Sequence, residues 1–239
     1  MKALDKEYKK ILKAEQKFKE KEMKSFPYKD KLIQKVPKKL QDTLNIAFTK
    51  AFETALLKGT SLLEKTYDKE EMQLEHEAKQ LMAQKKPNRK HLRNMDKTAK
   101  QAGLLHDALS TTSGTVMGFL GLGLPDIPVL VSMILRQVYQ CALSYGYDYD
   151  TDEERIYILH TIREALSELI FETESLDQEI NKTATLLSEK LLVEKFIQGI
   201  PVIGAAGGII NHQIIRRISK YAQISYKKRW LEAQIQKVQ

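Results

Sequence analysis

The sequence predicts an all-α protein: a single multi-helix domain with glycine-rich central helices, preceded by a basic helical extension. Three observations predict it. Apolar residues recur at helical spacing along most of the chain, and few runs alternate as strands do. Proline and glycine punctuate the sequence at helix-length intervals. Two apolar stretches, 108–135 and 196–215, hold eight of the eleven glycines. Glycine costs a helix in water about 0.8–1 kcal/mol against alanine, so its concentration there points to close approach of backbones or lipid.

Residues 1–24 carry Leu4, Tyr8, Ile11, Leu12, Ala14, Phe18 and Met23 as an imperfect apolar face, ended at Ser25-Phe26-Pro27. After Pro37, Leu40, Leu44, Ala47, Phe48, Ala51, Phe52, Ala55 and Leu56 follow the 3.6-residue repeat closely. Residues 68–84 form a polar helix, broken at Pro87-Asn88, and a further helix runs from about 89 to 111. Leu124-Pro125-Asp126-Ile127-Pro128 interrupts the first glycine-rich stretch. A new helix begins there with Asp126 as its N-cap and ends at Gly146, a natural C-terminal cap. Ile158, Leu159, Ile162, Ala165, Leu166, Leu169 and Ile170 mark the next helix; residues 178–195 and 203–235 complete the set. The expected organisation is a lysine-rich extension over 1–35 and a helical domain over 36–239.

Charge is unevenly placed. Residues 1–40 contain fourteen lysines against six acids, a surplus equal to the whole net charge of +8, whereas 146–190 contains twelve acids and four bases. Such polarity suits a protein resting on an anionic surface, and equally suits the solvated faces of mixed helices. The one cysteine, Cys141, permits no intrachain disulfide and reads as an inert core thiol. The N-terminus lacks the apolar core of a secretory signal, so a cytoplasmic location is the expectation.

Both apolar stretches are poor membrane spans. The first carries two prolines and Asp126, and the second is broken by Pro201 and includes Asn211, His212 and Gln213. Buried core is the first expectation, an interfacial or re-entrant segment the second, and a true span the last. Gly114/Gly118 and Gly204/Gly208 are Gly-x-x-x-Gly steps, one in each stretch, and suggest that the stretches pack on each other.

Several polar residues are candidates for a pocket or interface. Asp126 is an N-cap or a ligand-facing acid. Arg136 follows nine uncharged residues and needs an acceptor: Asp107, Asp126, Glu154 or a lipid phosphate. Arg155 reads as a structural ion-pair former. Tyr145 and Tyr147, before Asp148, either face an interface or close the core around a helix-ending turn. Asn211 and His212 lie beside the second glycine-rich stretch. The run Asp148, Asp150, Asp152 begins like a calcium loop, but Glu153 and Leu159 stand where glycine and glutamate are required, and no metal site is expected. Phosphate-loop, nucleophile-elbow and zinc-protease motifs are absent, so no catalytic residue is assigned and no cofactor is expected.

The segment GFLGLGLPDIPVLVSMILRQVYQCALSYGYDYDTDEER (118–155) resembles the signature of EcsC-type proteins. IPVIGAAGGIINHQIIRRISKYAQISYKKRWL (200–231) is similar to that family's second block, with Pro201, Gly204, Gly208 and Asn211 in matching places. The resemblance covers about 40–235. It implies a bacterial protein linked to the membrane and to an ABC-type transporter, and supplies no catalytic residues.

Together these lead to a non-enzymatic accessory protein at the cytoplasmic face of the membrane. Its expected partners are an anionic lipid surface, a membrane protein such as an ABC transporter, or both. A hydrolase acting on lipid or another membrane component, through Asp126, Arg136, Tyr145 or His212, is the alternative. Non-specific nucleic-acid binding ranks last, because the acidic segment would oppose phosphate. No oligomeric state is legible.

Overall fold

The computed structural model describes residues 2–23, 33–58, 60–85, 88, 90–96, 127–166, 175–197 and 207–237. Among them are eight helices and no strand: α1 (Lys2–Met23), α2 (Lys38–Glu53), α3 (Thr60–Glu64), α4 (Lys69–Lys85), α5 (Ile127–Ser144), α6 (Asp152–Ala165), α7 (Leu176–Ile197) and α8 (Gly207–Gln236). A short helical segment at 90–96 follows α4. The last turn of α2 widens into a π-helix over Thr54–Lys58, which keeps Ala55 and Leu56 in the core.

The core is organised about α5. Thirteen of its eighteen residues are buried, among them Leu130, Val131, Ile134, Leu135, Val138 and Leu143. By length and composition α5 could cross a membrane, yet α2, α4 and α8 enclose it. For this helix the buried-core expectation holds. α7 lies against α2 and α6, and α8 packs along α1, α5 and α6. The lysine-rich α1 buries Leu4, Ile11 and Phe18 against α8, with the Phe18 and Tyr221 rings 5.0 Å apart.

Helix ends follow the residues that allow them. α2 starts after Pro37, whose φ of −55° suits a helix entrance. α6 is capped by Thr151, which has extended backbone and accepts the Glu154 N–H at 3.2 Å, and three acids fill its first turn. α5 ends in a left-handed residue, Gly146 (φ +80°). Its N–H donates to the Leu143 carbonyl (2.9 Å) and that of Tyr147 to the Ala142 carbonyl (3.0 Å), a double closure that satisfies the last carbonyls.

Gly114, Gly118, Gly204 and Asp126 lie outside the described residues, as do Leu169 and Ile170. Gly208, Asn211 and His212 fall within α8, where only their backbone is described.

Candidate functional site

The segment between α5 and α6 reads Tyr145-Gly146-Tyr147-Asp148-Tyr149-Asp150. Its odd positions are buried or half-buried and its even positions exposed. The alternation starts in the helix-ending turn at Tyr145-Gly146 and continues through the irregular chain that follows it. The three tyrosines thereby reach three different parts of the fold.

Tyr145 donates to Asp96 Oδ1 at 3.0 Å, and Asp96 also takes the Lys227 ammonium of α8 at 2.7 Å; Lys227 lies 3.6 Å from Glu7 of α1. Burial first, and the Asp96 carboxylate second, push the Tyr145 hydroxyl well above the ordinary tyrosine range. Burial pulls the Glu7 carboxyl upward, but Lys10 and Lys227 outweigh it and hold it low.

Tyr147 forms one side of a clamp on Arg229. The guanidinium carbon lies 4.0 Å from the Tyr147 ring centroid and 4.3 Å from that of Tyr157. Arg229 Nη1 donates to Glu154 Oε2 at 2.6 Å, and the buried Tyr226 hydroxyl donates to Glu154 Oε1 at 2.7 Å. The Tyr226 ring meets Tyr157 edge-on, with centroids 5.2 Å apart. One carboxylate of α6 thus fastens an aromatic cluster drawn from the loop, α6 and α8.

Tyr149 is buried beneath α3. Its hydroxyl donates to Glu64 Oε1 at 2.8 Å and, with that proton spent, accepts from Tyr67 at 2.7 Å. The Tyr139 ring stacks on it at 4.0 Å, and the Lys69 ammonium sits 4.5 Å above it. Lys69 is shared by Asp150 (2.9 Å), Asp148 (3.1 Å) and Glu64 (3.2 Å). Burial works against its charge, but the three carboxylates win and hold its pKa above the usual lysine range. Asp150 is held low chiefly by its hydrogen bond from Lys69. The acidic run is therefore an ion-pair cluster, with Asp152 taken by Arg155 at 3.0 Å as expected of that arginine. Among the described residues no three His, Cys, Asp or Glu side chains form a metal-sized group.

Of the acceptors expected for Arg136, one needs correction. Glu154, one of its expected acceptors, faces α8 and is committed to Tyr226 and Arg229. Arg136 instead points toward the end of α3, where it donates to the Thr66 carbonyl at 2.9 Å. Half-buried, with Nε unpartnered, it has its pKa lowered by burial, and no carboxylate among the described residues pairs with it. Asp107 and Asp126 lie outside those residues. Arg136 and Tyr145 therefore enter separate contacts, and the catalytic alternative draws no support from them. Cys141 is buried, its thiol raised by that burial, as expected of a core residue.

Sequence reasoning missed Tyr149, Glu64, Lys69, Tyr157, Tyr226 and Arg229. The alternation of tyrosine with small or acidic residues over 145–150 was a signal for inward-facing Tyr149; nothing local marked the others, which, apart from the Glu64–Lys69 contact, find their partners tens of residues away. It missed equally a fully buried pair between α6 and α7, Arg163 with Glu179, which His160 approaches at 3.2 Å.

Both signature blocks thus meet in one place: Tyr147 and Glu154 from the first, Tyr226 and Arg229 from the second. The profile of the EcsC protein family matches residues 1–231. The chain belongs to the EcsC family. A curated relative, Protein EcsC of Bacillus subtilis (strain 168), is 24% identical over 214 residues, covering 84% of each chain. No solved structure matches. The EcsC match begins at residue 1 and so includes the lysine-rich α1, which lies outside the 40–235 resemblance.

Proposed function

We propose that this EcsC-family protein is a non-catalytic accessory that rests on the anionic cytoplasmic face of the cell membrane, beside an ABC-type transporter. The observation that carries the reading is the outer face of α1. Lys2, Lys6, Lys9, Lys10, Lys13 and Lys17 are all exposed. At 3.6 residues per turn they fall within about 100° of the helix circumference, opposite the buried Leu4, Ile11 and Phe18. Packing against α8 gives this stripe a fixed direction, so its charges act on one plane. Each basic group near an anionic bilayer is worth about 1 kcal/mol, and the attraction fades over a Debye length. The transporter half of the proposal rests on the family resemblance alone.

Vesicle flotation tests the lipid half. Wild-type protein is expected to float with phosphatidylserine-containing vesicles at low salt, not with neutral phosphatidylcholine, and to be released by high salt. Replacing Lys6, Lys9, Lys13 and Lys17 with glutamine is expected to weaken binding by about 10³-fold, four groups at about 1 kcal/mol each. Undetectable binding at low salt, or binding indifferent to the four substitutions, refutes the proposal. Co-purification of a transporter from crosslinked native membranes tests the other half, and its absence removes that partner.

A further inference from the structure

One helix of the fold is apolar on both sides. α4 turns His76 and Ala83 inward and packs on α5. Its opposite face carries Leu74, Leu81 and Met82, exposed by 66%, 57% and 56%, with exposed Ala78 between them. The spacing i, i+4, i+7, i+8 makes one stripe, a pattern that marks a helix face meant to be covered.

The charges say what covers it. The first half of α4 carries Glu70, Glu71, Glu75 and Glu77, its one base, Lys69, being held by Glu64, Asp148 and Asp150; the second carries Lys79 and Lys85 and no acid after Glu77. Lys79 is bound to Glu75 of its own helix. A parallel copy would set acids on acids. An antiparallel copy sets the acidic half of each helix on the basic half of the other. Four flanking glutamates also make the stripe a poor match for an anionic bilayer.

We infer that α4 is a self-association surface, on which a second copy of this chain docks antiparallel about a two-fold axis near Ala78. The two apolar stripes cover each other, and Lys85 of each copy lies over the Glu71 turn of its partner. The contact is isologous, so every interaction occurs twice. A helix of 17 residues is about 25 Å long, which places the contact at the small end of specific interfaces and makes the dimer concentration-dependent.

Sedimentation equilibrium of the full chain without lipid tests this. A monomer–dimer equilibrium is expected, and Leu81→Asp should abolish it. Glu71→Lys and Lys85→Glu should each weaken it about tenfold, since each reversal removes and inverts two symmetry-related contacts. Combining the two should restore the dissociation constant to within about threefold, a rescue that general destabilisation cannot produce. All three positions are exposed, and unchanged circular dichroism confirms folding. A monomer at every soluble concentration, a dimer indifferent to Leu81→Asp, no rescue in the double variant, or association only when vesicles are added overturns the inference. Because no lipid is present, failure here leaves the α1 flotation result untouched.

Discussion

Gly146→Ala tests the turn on which the tyrosine loop depends. Gly146 has φ +80°, a region that costs an L-residue roughly 1–2 kcal/mol. A Cβ there would stand 2.3 Å from His76 Nε2 and 2.8 Å from Cδ2 and Cε1 of the same ring. The ring is not free to swing away without loss. It is 8% exposed, with Nδ1 3.1 Å from the Ser144 carbonyl and Nε2 2.6 Å from Gln80 Oε1. Displacing it leaves a helix-terminal carbonyl without that partner, a cost of about 1–3 kcal/mol. Gly146→Ala is therefore expected to cost about 2–5 kcal/mol. Urea unfolding should show a lower midpoint at unchanged slope. In a His76→Ala background the same substitution should cost only the backbone strain, about 1–2 kcal/mol, giving a coupling term in the double-mutant cycle. A single-mutant cost under about 0.5 kcal/mol, or additive costs in the cycle, refutes the reasoning.

Three further outcomes follow from the polar networks. Glu154→Ala leaves Arg229 and the buried Tyr226 hydroxyl without their acceptor, and should destabilise by about 3–5 kcal/mol, with Glu154→Gln costing clearly less; equal costs would remove the ionic reading of the clamp. Asp150 has a folded pKa held down by Lys69, so its contribution is full above its unfolded value of about 3.9 and is lost as pH falls through the lower folded value. The stability gap between wild type and Lys69→Met should accordingly narrow in acid, and a constant gap from neutrality to pH 3 would contradict the ion-pair cluster. Burial raises Tyr67 and Tyr157 to about 12, so the stability they contribute is intact below about 10 and lost as pH rises toward 12. Tyrosinate absorbance should lag behind free tyrosine and rise with unfolding; a full titration near 10 in the folded state would refute it.

Much of the helix layout was legible. The repeat from Leu40 to Leu56 and the stop at Gly146 are local signals, and the elements lie where those signals put them. Gly146 was readable because only one kind of residue tolerates its backbone without strain. The site was less so. Arg136 stood out as a lone charge in an apolar helix, but the acceptor it finds among the described residues is a backbone carbonyl at Thr66, which no side-chain pattern announces. Arg229 looked like one of many bases in α8, and only its position between Tyr147 and Tyr157 distinguishes it.

Periodicity, turn chemistry and charge run along the chain, so the sequence by itself determined the all-helical class, the order of elements and the lysine-rich character of α1, while the burial of α5 was settled only when α2, α4 and α8 were seen to enclose it. Pairing across the chain depends on which helix faces meet. Only the tertiary structure decided that Glu154 belongs to Arg229 and Tyr226, that Lys69 gathers three carboxylates over Tyr149, and that α4 turns a leucine stripe to solvent. A buried charge takes the partner that packing brings within reach, and that choice is made by the whole core at once.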